Sequence, residues 1–256
     1  MPSARFGGVR PRFELKYALD EDAAGRVRSF VLPFASVDPS APAGGAQRVT
    51  SLYLDTPRGD FHARHVAREA DRFKLRVRRY GDEDPREAFF EIKRKVGRIT
   101  DKRRARVAAS TVPVLLDPGR AAAVGDPAPG DEALRLFLWL KALHHAAPRM
   151  LVTCRRESYV GPEPGCDARV TLDHDMSFQP VAEATLHGDP RRWRRTPVEG
   201  GPIVLELKYS GAPPWWMAEM ARRLGPHRTA YSKYVAAVAG DAAPPLELLA
   251  AREALA

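Results

Sequence analysis

Ile203-Val204-Leu205-Glu206-Leu207-Lys208 is a short stretch in which apolar and charged side chains alternate over its last residues. In a β-strand, successive side chains point to opposite faces of the sheet. Ile203, Leu205 and Leu207 therefore share one face, whereas Glu206 and Lys208 share the other. The stretch predicts a strand that packs one face on a core and carries charges on the other.

The same division into an apolar and a charged face extends to other parts of the chain. Similar patterns occur at residues 12–17, 73–78 and 89–95, and a further basic face is formed by Lys102, Arg104 and Arg106. One strand of this kind is typical of a half-exposed antiparallel sheet. Five strands that repeat Glu-x-Lys or basic-x-basic instead indicate a shared charged interior, with helices covering the apolar faces.

An enclosed basic interior has an energetic cost that restricts its use. Like charges about 4 Å apart repel by roughly 4 kcal/mol at an effective dielectric constant near 20, and removing each ion from water adds to this cost. A bound polyanion would neutralise such an interior, and phosphate suits both Arg and Lys. Glutamates on the same faces would balance charge or hold a divalent metal, Mn²⁺ or Mg²⁺.

The remaining patterns predict an α+β chain dominated by strands. Strands are expected at residues 12–17, 47–55, 73–80, 88–95, 101–107, 150–159, 168–173 and 202–208. Helices are expected at residues 20–34, 131–146, 213–224 and 245–256. Many strands with few intervening helices favour an antiparallel barrel or sandwich over a parallel sheet. We expect one domain over residues 1–256, with a core at about 11–240 and a helical tail at 241–256.

The composition is consistent with an anionic ligand and disfavours cysteine metal sites, transmembrane helices and P-loop nucleotidases. The 41 basic and 32 acidic residues give a formal net charge of +9, which favours phosphates, nucleic acid or a membrane surface as partner. The two cysteines lack metal-ligand spacing. The sequence has no apolar run of about 18 residues and no P-loop motif. We expect a soluble cytoplasmic protein without a membrane segment of its own.

Several motifs together resemble the VTC domain, the catalytic domain of the vacuolar transporter chaperone complex and of its bacterial relatives. They are Arg12-Phe13-Glu14-Leu15-Lys16-Tyr17, Ser51-Leu52-Tyr53-Leu54-Asp55-Thr56-Pro57, Lys74-Leu75-Arg76-Val77-Arg78-Arg79-Tyr80-Gly81, Phe90-Glu91-Ile92-Lys93, Leu205-Glu206-Leu207-Lys208 and Ser232-Lys233-Tyr234. The family is a branch of the triphosphate tunnel metalloenzymes, which also include CYTH-type triphosphatases and adenylyl cyclases. The resemblance implies a closed antiparallel eight-stranded β-barrel with helices packed outside.

The resemblance also implies roles for individual residues. Catalytic roles fall on Lys16, Arg76, Arg78, Lys93, Arg156 and Lys233, and phosphate binding falls on these six together with Lys74, Lys102, Arg104, Lys208 and Ser232. The resemblance implies metal binding for Glu206. Glu14 and Glu91, on the same inward faces, are further candidate metal ligands or ion-pair partners of neighbouring Arg and Lys, and Arg169 and Asp173 are weaker candidates for the site. Cys154 stands where the family has Tyr in a Tyr-x-Arg motif. We expect Tyr17, Tyr53 and Tyr80 to be packing residues.

The function implied first is a metal-dependent polyphosphate polymerase that uses ATP and has inorganic polyphosphate as product. A metal-dependent triphosphatase is an alternative, although such relatives more often show Glu-x-Glu-x-Lys in the first strand, where this chain has Arg12 before Glu14. A non-catalytic sensor of polyphosphate or inositol phosphate is another alternative. Composition alone also permits a nucleic-acid binder, but we expect no nucleic-acid partner. A membrane partner remains open, as does the oligomeric state.

Overall fold

A computed structural model describes residues 12–42, 45–82, 86–97, 99–117, 131–163 and 166–242. Its strands are β1 (Arg12–Leu19), β2 (Ser36–Val37), β3 (Ala46–Asp55), β4 (Asp71–Tyr80), β5 (Glu87–Val96), β6 (Ile99–Ala108), β7 (Ala147–Val160), β8 (Arg169–Pro180), β9 (Arg194–Arg195) and β10 (Ile203–Ser210). All eight predicted strands are confirmed, and the short strands β2 and β9 are additional.

Six helices accompany the strands in the described part of the chain. They are α1 (Glu21–Val31), α2 (Asp60–Val66), α3 (Val112–Leu116), α4 (Glu132–Leu143), α5 (Trp215–Arg223) and α6 (Lys233–Ala242). The predictions that contain α1, α4 and α5 are confirmed, whereas α2, α3 and α6 were not assigned as helices from the sequence. The helix predicted at 245–256 lies outside the described residues. No helix among the described residues is long and apolar enough to span a bilayer.

The eight long strands form one curled antiparallel sheet in the order β1-β10-β8-β7-β3-β4-β5-β6. A closed barrel would require β1 to pair with β6, because they are the two ends of this order. No such pairing occurs among the described residues. The expected closed barrel is therefore not observed, and the structure shows a half-barrel with a concave inner face.

Part of the free edge of β1 is covered by the segment that precedes α6. Tyr17 forms an isolated antiparallel bridge with Arg228, and the backbone N–H of Thr229 donates to the carbonyl oxygen of Lys16 at 2.9 Å. These contacts use backbone groups that pairing with β6 would otherwise require. The covered edge gives a physical reason why the sheet stays open here.

Two groups of helices cover the outer, apolar face of the sheet. Near β1 and β10, Val27 of α1 and Trp216 of α5 belong to the same buried cluster as Leu205 and Leu207. Near β4 and β5, Phe137 of α4 packs edge-on against Phe90, with ring centroids 4.9 Å apart. The apolar positions predicted from alternation therefore form the outer core, and the charged positions face inward.

The last described helix, α6, departs from the expectation that all helices pack outside. Tyr234 of α6 stacks on Tyr53 with ring centroids 4.9 Å apart, and it shares a buried cluster with Met150 and Phe178. The hydroxyl of Tyr53 contacts Arg76, one of the inward charges. Helix α6 therefore occupies one end of the concave face, because that part of the inner surface is apolar.

Candidate phosphate-binding interior

The register of the sheet brings the predicted charged residues to one face. Strands β1 and β10 place Lys16 opposite Glu206, and β4 and β5 place Arg76 opposite Glu91. Directly opposed residues of an antiparallel pair project to the same side of the sheet. Three groups of ion pairs result on the concave face, and each combines carboxylates with basic side chains.

The first group is centred on Lys16. Its ammonium nitrogen lies 3.1 Å from Glu14 Oε1 and 3.0 Å from Glu206 Oε1. Lys208 donates to the other oxygen of Glu206. Lys16 also donates to the carbonyl oxygen of Tyr231 at 3.1 Å, which attaches the segment before α6 to the interior.

The second group is centred on Asp173 of β8, which is fully buried. Arg156 of β7 binds it with two hydrogen bonds, Nε to Oδ1 at 2.6 Å and Nη2 to Oδ2 at 2.8 Å. Lys233, the first residue of α6, also donates to Asp173 Oδ2. Lys233 Nζ lies 3.8 Å from Glu206 Oε1, so this group adjoins the first.

The third group is centred on Glu91 of β5, whose side chain has no exposed surface. Its carboxylate lies 2.6 Å from Arg76 Nη2, 2.6 Å from Lys102 Nζ and 3.3 Å from Arg104 Nε. Arg76 Nη1 additionally donates to the hydroxyl of Tyr53 at 3.2 Å. One carboxylate therefore faces three basic side chains from the two strands that flank β5, Arg76 from β4 and Lys102 and Arg104 from β6.

Other predicted cations complete the interior and connect its walls. Lys93 of β5 reaches Glu14 of β1 at 2.7 Å, so it links strands from the two ends of the sheet order. Lys74 donates to Ser232 Oγ at 2.7 Å and Arg78 donates to Ser51 Oγ at 3.0 Å. Among the described residues, Lys74 and Arg78 have no carboxylate within ion-pair distance.

With the site in view, comparison with known proteins gives a family. The family model of the VTC domain matches residues 11–240, which include all of the interior residues above. The chain belongs to the VTC domain family. The resemblance found in the sequence motifs is thereby confirmed.

Two solved structures are similar to this VTC domain. A candidate adenylate cyclase from Bacillus halodurans has a TM-score of 0.50 at 11% identity, over 87% of this chain and 94% of that chain. The PH1819 protein from Pyrococcus horikoshii OT3 has a TM-score of 0.44 at 14% identity, over 90% of this chain and 99% of that chain. The first similarity supports the fold alone. Comparison with curated proteins gave no match.

The ion pairs determine the ionisation of the interior carboxylates of the VTC domain. Burial and the Glu206 carboxylate oppose ionisation of Glu14, but Lys16, Lys93 and Lys208 outweigh them and lower its pKa. For Glu91, burial is outweighed by Arg76, Arg78 and Lys102, so its pKa is also lowered. The pKa values of Asp173 and Glu206 are lowered too, because basic neighbours outweigh burial. These groups are anionic at neutral pH and weak as bases.

Lys74 has the opposite balance. Burial, followed by the charges of Lys16, Lys93 and Arg76, lowers its pKa well below the ordinary value for lysine, and the charge of Glu14 compensates only in part. An ammonium group in such surroundings is stabilised by an added anion. Lys74 therefore marks the part of the interior where positive charge is least compensated.

The carboxylates fit a metal only in a particular way. The described residues contain no group of three or more His, Cys, Asp or Glu side chains arranged to hold an ion. Mg²⁺ is commonly bound through one or two carboxylates together with substrate phosphates. Glu14 and Glu206, which share the ammonium of Lys16, fit that kind of site. Glu91, the third predicted metal ligand, lies among three other cations, Arg76, Lys102 and Arg104.

Cys154, the departure from the family motif, is buried beside Asp173. Its sulfur lies 3.5 Å from Asp173 Oδ1. Burial, supported by the charge of Asp173, raises the pKa of the thiol to about 12. The thiol is therefore protonated, while Arg156, two residues later, keeps its bidentate contact with Asp173.

The structure also adds residues that the sequence did not assign to the site. Tyr17 packs in the outer core as expected. Tyr53 also packs as expected, stacked on Tyr234. In addition, Tyr53 and Tyr80 accept hydrogen bonds through their hydroxyls, from Arg76 at 3.2 Å and from Arg104 at 3.1 Å respectively. Their positions could have indicated this, because Tyr80 shares the alternation of Arg76 and Arg78 along β4. Asp173 functions as an ion-pair partner, and Arg169 lies 3.3 Å from Asp38.

Proposed function

We propose that this VTC domain is a polyphosphate polymerase that transfers the γ-phosphoryl group of ATP to a growing polyphosphate chain. The observation that supports it is the charge of the concave face. Ten predicted basic side chains lie with only four carboxylates, Glu14, Glu91, Asp173 and Glu206. An excess of partly buried cations is costly unless an anion is bound. A chain of phosphates supplies that charge along the whole interior.

The reaction needs positioning and charge stabilisation. A terminal oxygen of the polyphosphate chain attacks the γ-phosphorus, and a new P–O bond forms. The bond between the γ-phosphorus and the β,γ-bridging oxygen breaks, and its electron pair leaves with ADP. Lys16, Arg76 and Lys93 would stabilise the negative charge on the transferring group, as in other phosphoryl transfers.

The ionisation of the interior favours transfer to phosphate over hydrolysis. Water must lose a proton to become a good nucleophile, so a hydrolase benefits from a general base. The interior carboxylates are weak bases, since basic neighbours lower their pKa values. The terminal oxygen of polyphosphate is already anionic and needs no base. This difference supports the polymerase over a triphosphatase.

Glu206 and Glu14 would hold Mn²⁺ or Mg²⁺ together with substrate phosphates. The metal, when bound, neutralises charge on the β- and γ-phosphates. The other parts of the proposal are a tunnel completed around the polymer and a cytoplasmic location, which is expected from the sequence. ATP and inorganic polyphosphate are the proposed ligands.

Incubation of the purified protein with ATP and Mn²⁺ tests the activity. Long-chain polyphosphate should accumulate with one ADP released for each phosphate added. Lys93→Met should reduce the rate at least about tenfold, equivalent to about 1.4 kcal/mol. The adjacent Arg94 provides a control, because it lies on the outer face in an exposed ion pair with Asp71. Arg94→Met should leave the rate within about twofold.

Two results would contradict the polymerase. Release of inorganic phosphate from ATP or tripolyphosphate without polymer would identify a triphosphatase. Binding of tripolyphosphate without any turnover would identify a sensor. Glu206→Gln distinguishes a sensor from a metal-dependent enzyme. The enzyme should lose turnover and retain tripolyphosphate binding, whereas a sensor has no turnover to lose.

A further inference from the structure

One mouth of the concave interior differs chemically from the rest. A cavity of about 610 Å³ opens at the end of β4, and its lining includes Tyr80, Phe89, Arg104, Arg156 and Arg169. At the other end of the inward row on β4, Lys74 contacts Ser232 immediately before α6. The charged interior therefore has α6 at one end and, at the other, an opening lined by both aromatic rings and arginines.

Arg104 and two aromatic rings form a compact cluster at this opening. The guanidinium carbon of Arg104 lies 3.7 Å from the ring centroid of Phe89 and 5.5 Å from that of Tyr80. The two rings meet edge to face, with centroids 5.5 Å apart at an interplanar angle of 74°. The side chain of Arg104 remains 39% exposed. The guanidinium group of Arg104 therefore lies against the ring of Phe89, while part of the Arg104 side chain stays exposed at the cavity.

The cluster is connected to the charged interior. Arg104 Nε lies 3.3 Å from Glu91 Oε1, and Glu91 in turn binds Arg76. Arg156, which also lines the cavity, binds Asp173 within the interior. A ligand in the cavity can therefore contact the cluster with one part and the cations of the interior with another.

Proteins bind phosphate groups through charge and hydrogen bonds. A phosphate has no planar apolar surface that could stack on an aromatic ring. Nucleobases, in contrast, stack on aromatic side chains and on the guanidinium plane of Arg. A stacking surface that leads directly into a row of cations matches a molecule with a base at one end and phosphates at the other.

We infer that this mouth binds the nucleobase of ATP on the Arg104–Phe89 surface, so that the triphosphate extends into the interior from this side. The inference rests on the proposed function, because it assigns the orientation of the nucleotide in that same site. It assigns Phe89 a role in recognising the nucleoside and none in recognising phosphate.

Titration calorimetry with ATP and with tripolyphosphate tests the inference, because tripolyphosphate has the phosphates without the nucleoside. Base stacking is worth about 1–3 kcal/mol by alanine substitution, or roughly 5- to 150-fold in affinity. Phe89→Ala should therefore weaken ATP at least about fivefold. Its affinity for tripolyphosphate should stay within about twofold, which also shows that the variant is folded. Phe13→Ala, which removes an exposed ring stacked on Tyr209, is the matched control and should change neither affinity.

Two outcomes for Phe89→Ala would overturn the inference, and they can be distinguished from a failure of the proposed function. Equal weakening of ATP and tripolyphosphate would show that Phe89 supports the phosphate site. An unchanged affinity for both would place the base elsewhere. If the unsubstituted protein bound neither ligand, the proposed function itself would fail. If it bound both and made no polymer, only the activity would fail.

Discussion

At the scale of single residues, the interior combines compensated and uncompensated charges. Glu91 faces three cations, whereas Lys74 has a serine hydroxyl as its hydrogen-bond partner. Removing one member of an ion pair leaves the other as an unpaired buried charge, which destabilises the protein. Removing a cation that has no carboxylate partner instead relieves its repulsion with neighbouring cations. The two kinds of residue should therefore respond to substitution in opposite directions.

Lys74→Met should stabilise the protein in the absence of ligand and weaken its response to phosphate. Removal of a cation that lies near Lys16, Lys93 and Arg76 should add about 1 kcal/mol, which raises Tm by about 2–4 °C for a chain of this length. The increase in Tm caused by tripolyphosphate should become smaller. Scanning calorimetry with and without tripolyphosphate measures both effects. A lower Tm without ligand would instead show that the contact with Ser232 is structural.

Glu157→Gln should make the stability of the folded protein less sensitive to a fall in pH below about 4.5. Glu157 lies outside the interior, 2.9 Å from both Arg28 Nε and His174 Nε2. Burial is outweighed by hydrogen bonds from His174 and Arg28, which lower its pKa from 4.5 to about 2. The folded state binds fewer protons than the unfolded state in this window. The stabilisation is therefore complete above about pH 4.5 and is lost as the pH falls toward 2.

Thermal unfolding at pH 6 and pH 3 tests this expectation. The unsubstituted protein should lose more Tm between the two values than Glu157→Gln, which lacks the titrating carboxylate. Equal losses in the two proteins would show that other carboxylates account for the acid sensitivity.

At the scale of elements, the alternation within strands was predictable and the position of α6 was not. The two faces of each strand can be predicted from its own sequence, because side chains alternate between the faces with a period of two residues. Helix α6 has apolar residues that could have packed on either side of the sheet. It packs inside because Tyr53, Met150 and Phe178, from three different strands, form an apolar surface there. No local pattern shows that these three residues meet.

Tyr234→Phe should test how firmly α6 is attached. The Tyr234 hydroxyl donates to Asp55, a buried carboxylate that also accepts the backbone N–H of Phe61 at 2.9 Å. Loss of one partner of a buried charged group costs about 1–3 kcal/mol. Urea denaturation should show that decrease in the free energy of unfolding, whereas Tyr209→Phe on the outer surface should change it little. An unchanged stability for Tyr234→Phe would show that stacking on Tyr53 alone holds the helix.

At the scale of the whole molecule, the curled sheet encloses more positive than negative charge. Its two edge strands, β1 and β6, do not pair with each other among the described residues. Lys93 and Glu14 join β5 to β1 through side chains. An anion that contacts both walls would add further links of this kind. Ligand binding should therefore stabilise the fold as a unit.

Tripolyphosphate should raise Tm, and the rise should decrease with added NaCl because salt screens partly exposed charges. A concentration of about 100 times Kd adds about 2.7 kcal/mol to the free energy of unfolding. Sodium sulfate at equal ionic strength provides the control and should have a smaller effect. An equal effect of sulfate would mean that the interior responds to ionic strength and does not select a chain of phosphates.

Most of the candidate site could be predicted before the structure. The predicted Lys, Arg and Glu positions share a face because β-alternation and motif order are both present in the sequence. Tyr53 packs as expected, but the sequence pattern did not reveal that the hydroxyls of Tyr53 and Tyr80 also accept hydrogen bonds from arginines. Glu91 stays a predicted metal ligand, and the sequence does not show that Arg76, Lys102 and Arg104 surround that carboxylate.

The sequence alone determined the strands, their apolar and charged faces and the VTC family, because these depend on local alternation and on short motifs. Glu206 and Lys208, in the stretch that first indicated the fold, do share a charged inner face. The tertiary structure decided the rest. It placed Lys16 between Glu14 and Glu206, brought Lys233 to Asp173, and seated α6 inside an open sheet. Apart from the contact of Lys16 with Glu14, these contacts join residues far apart in the chain, and only folding brings them close together.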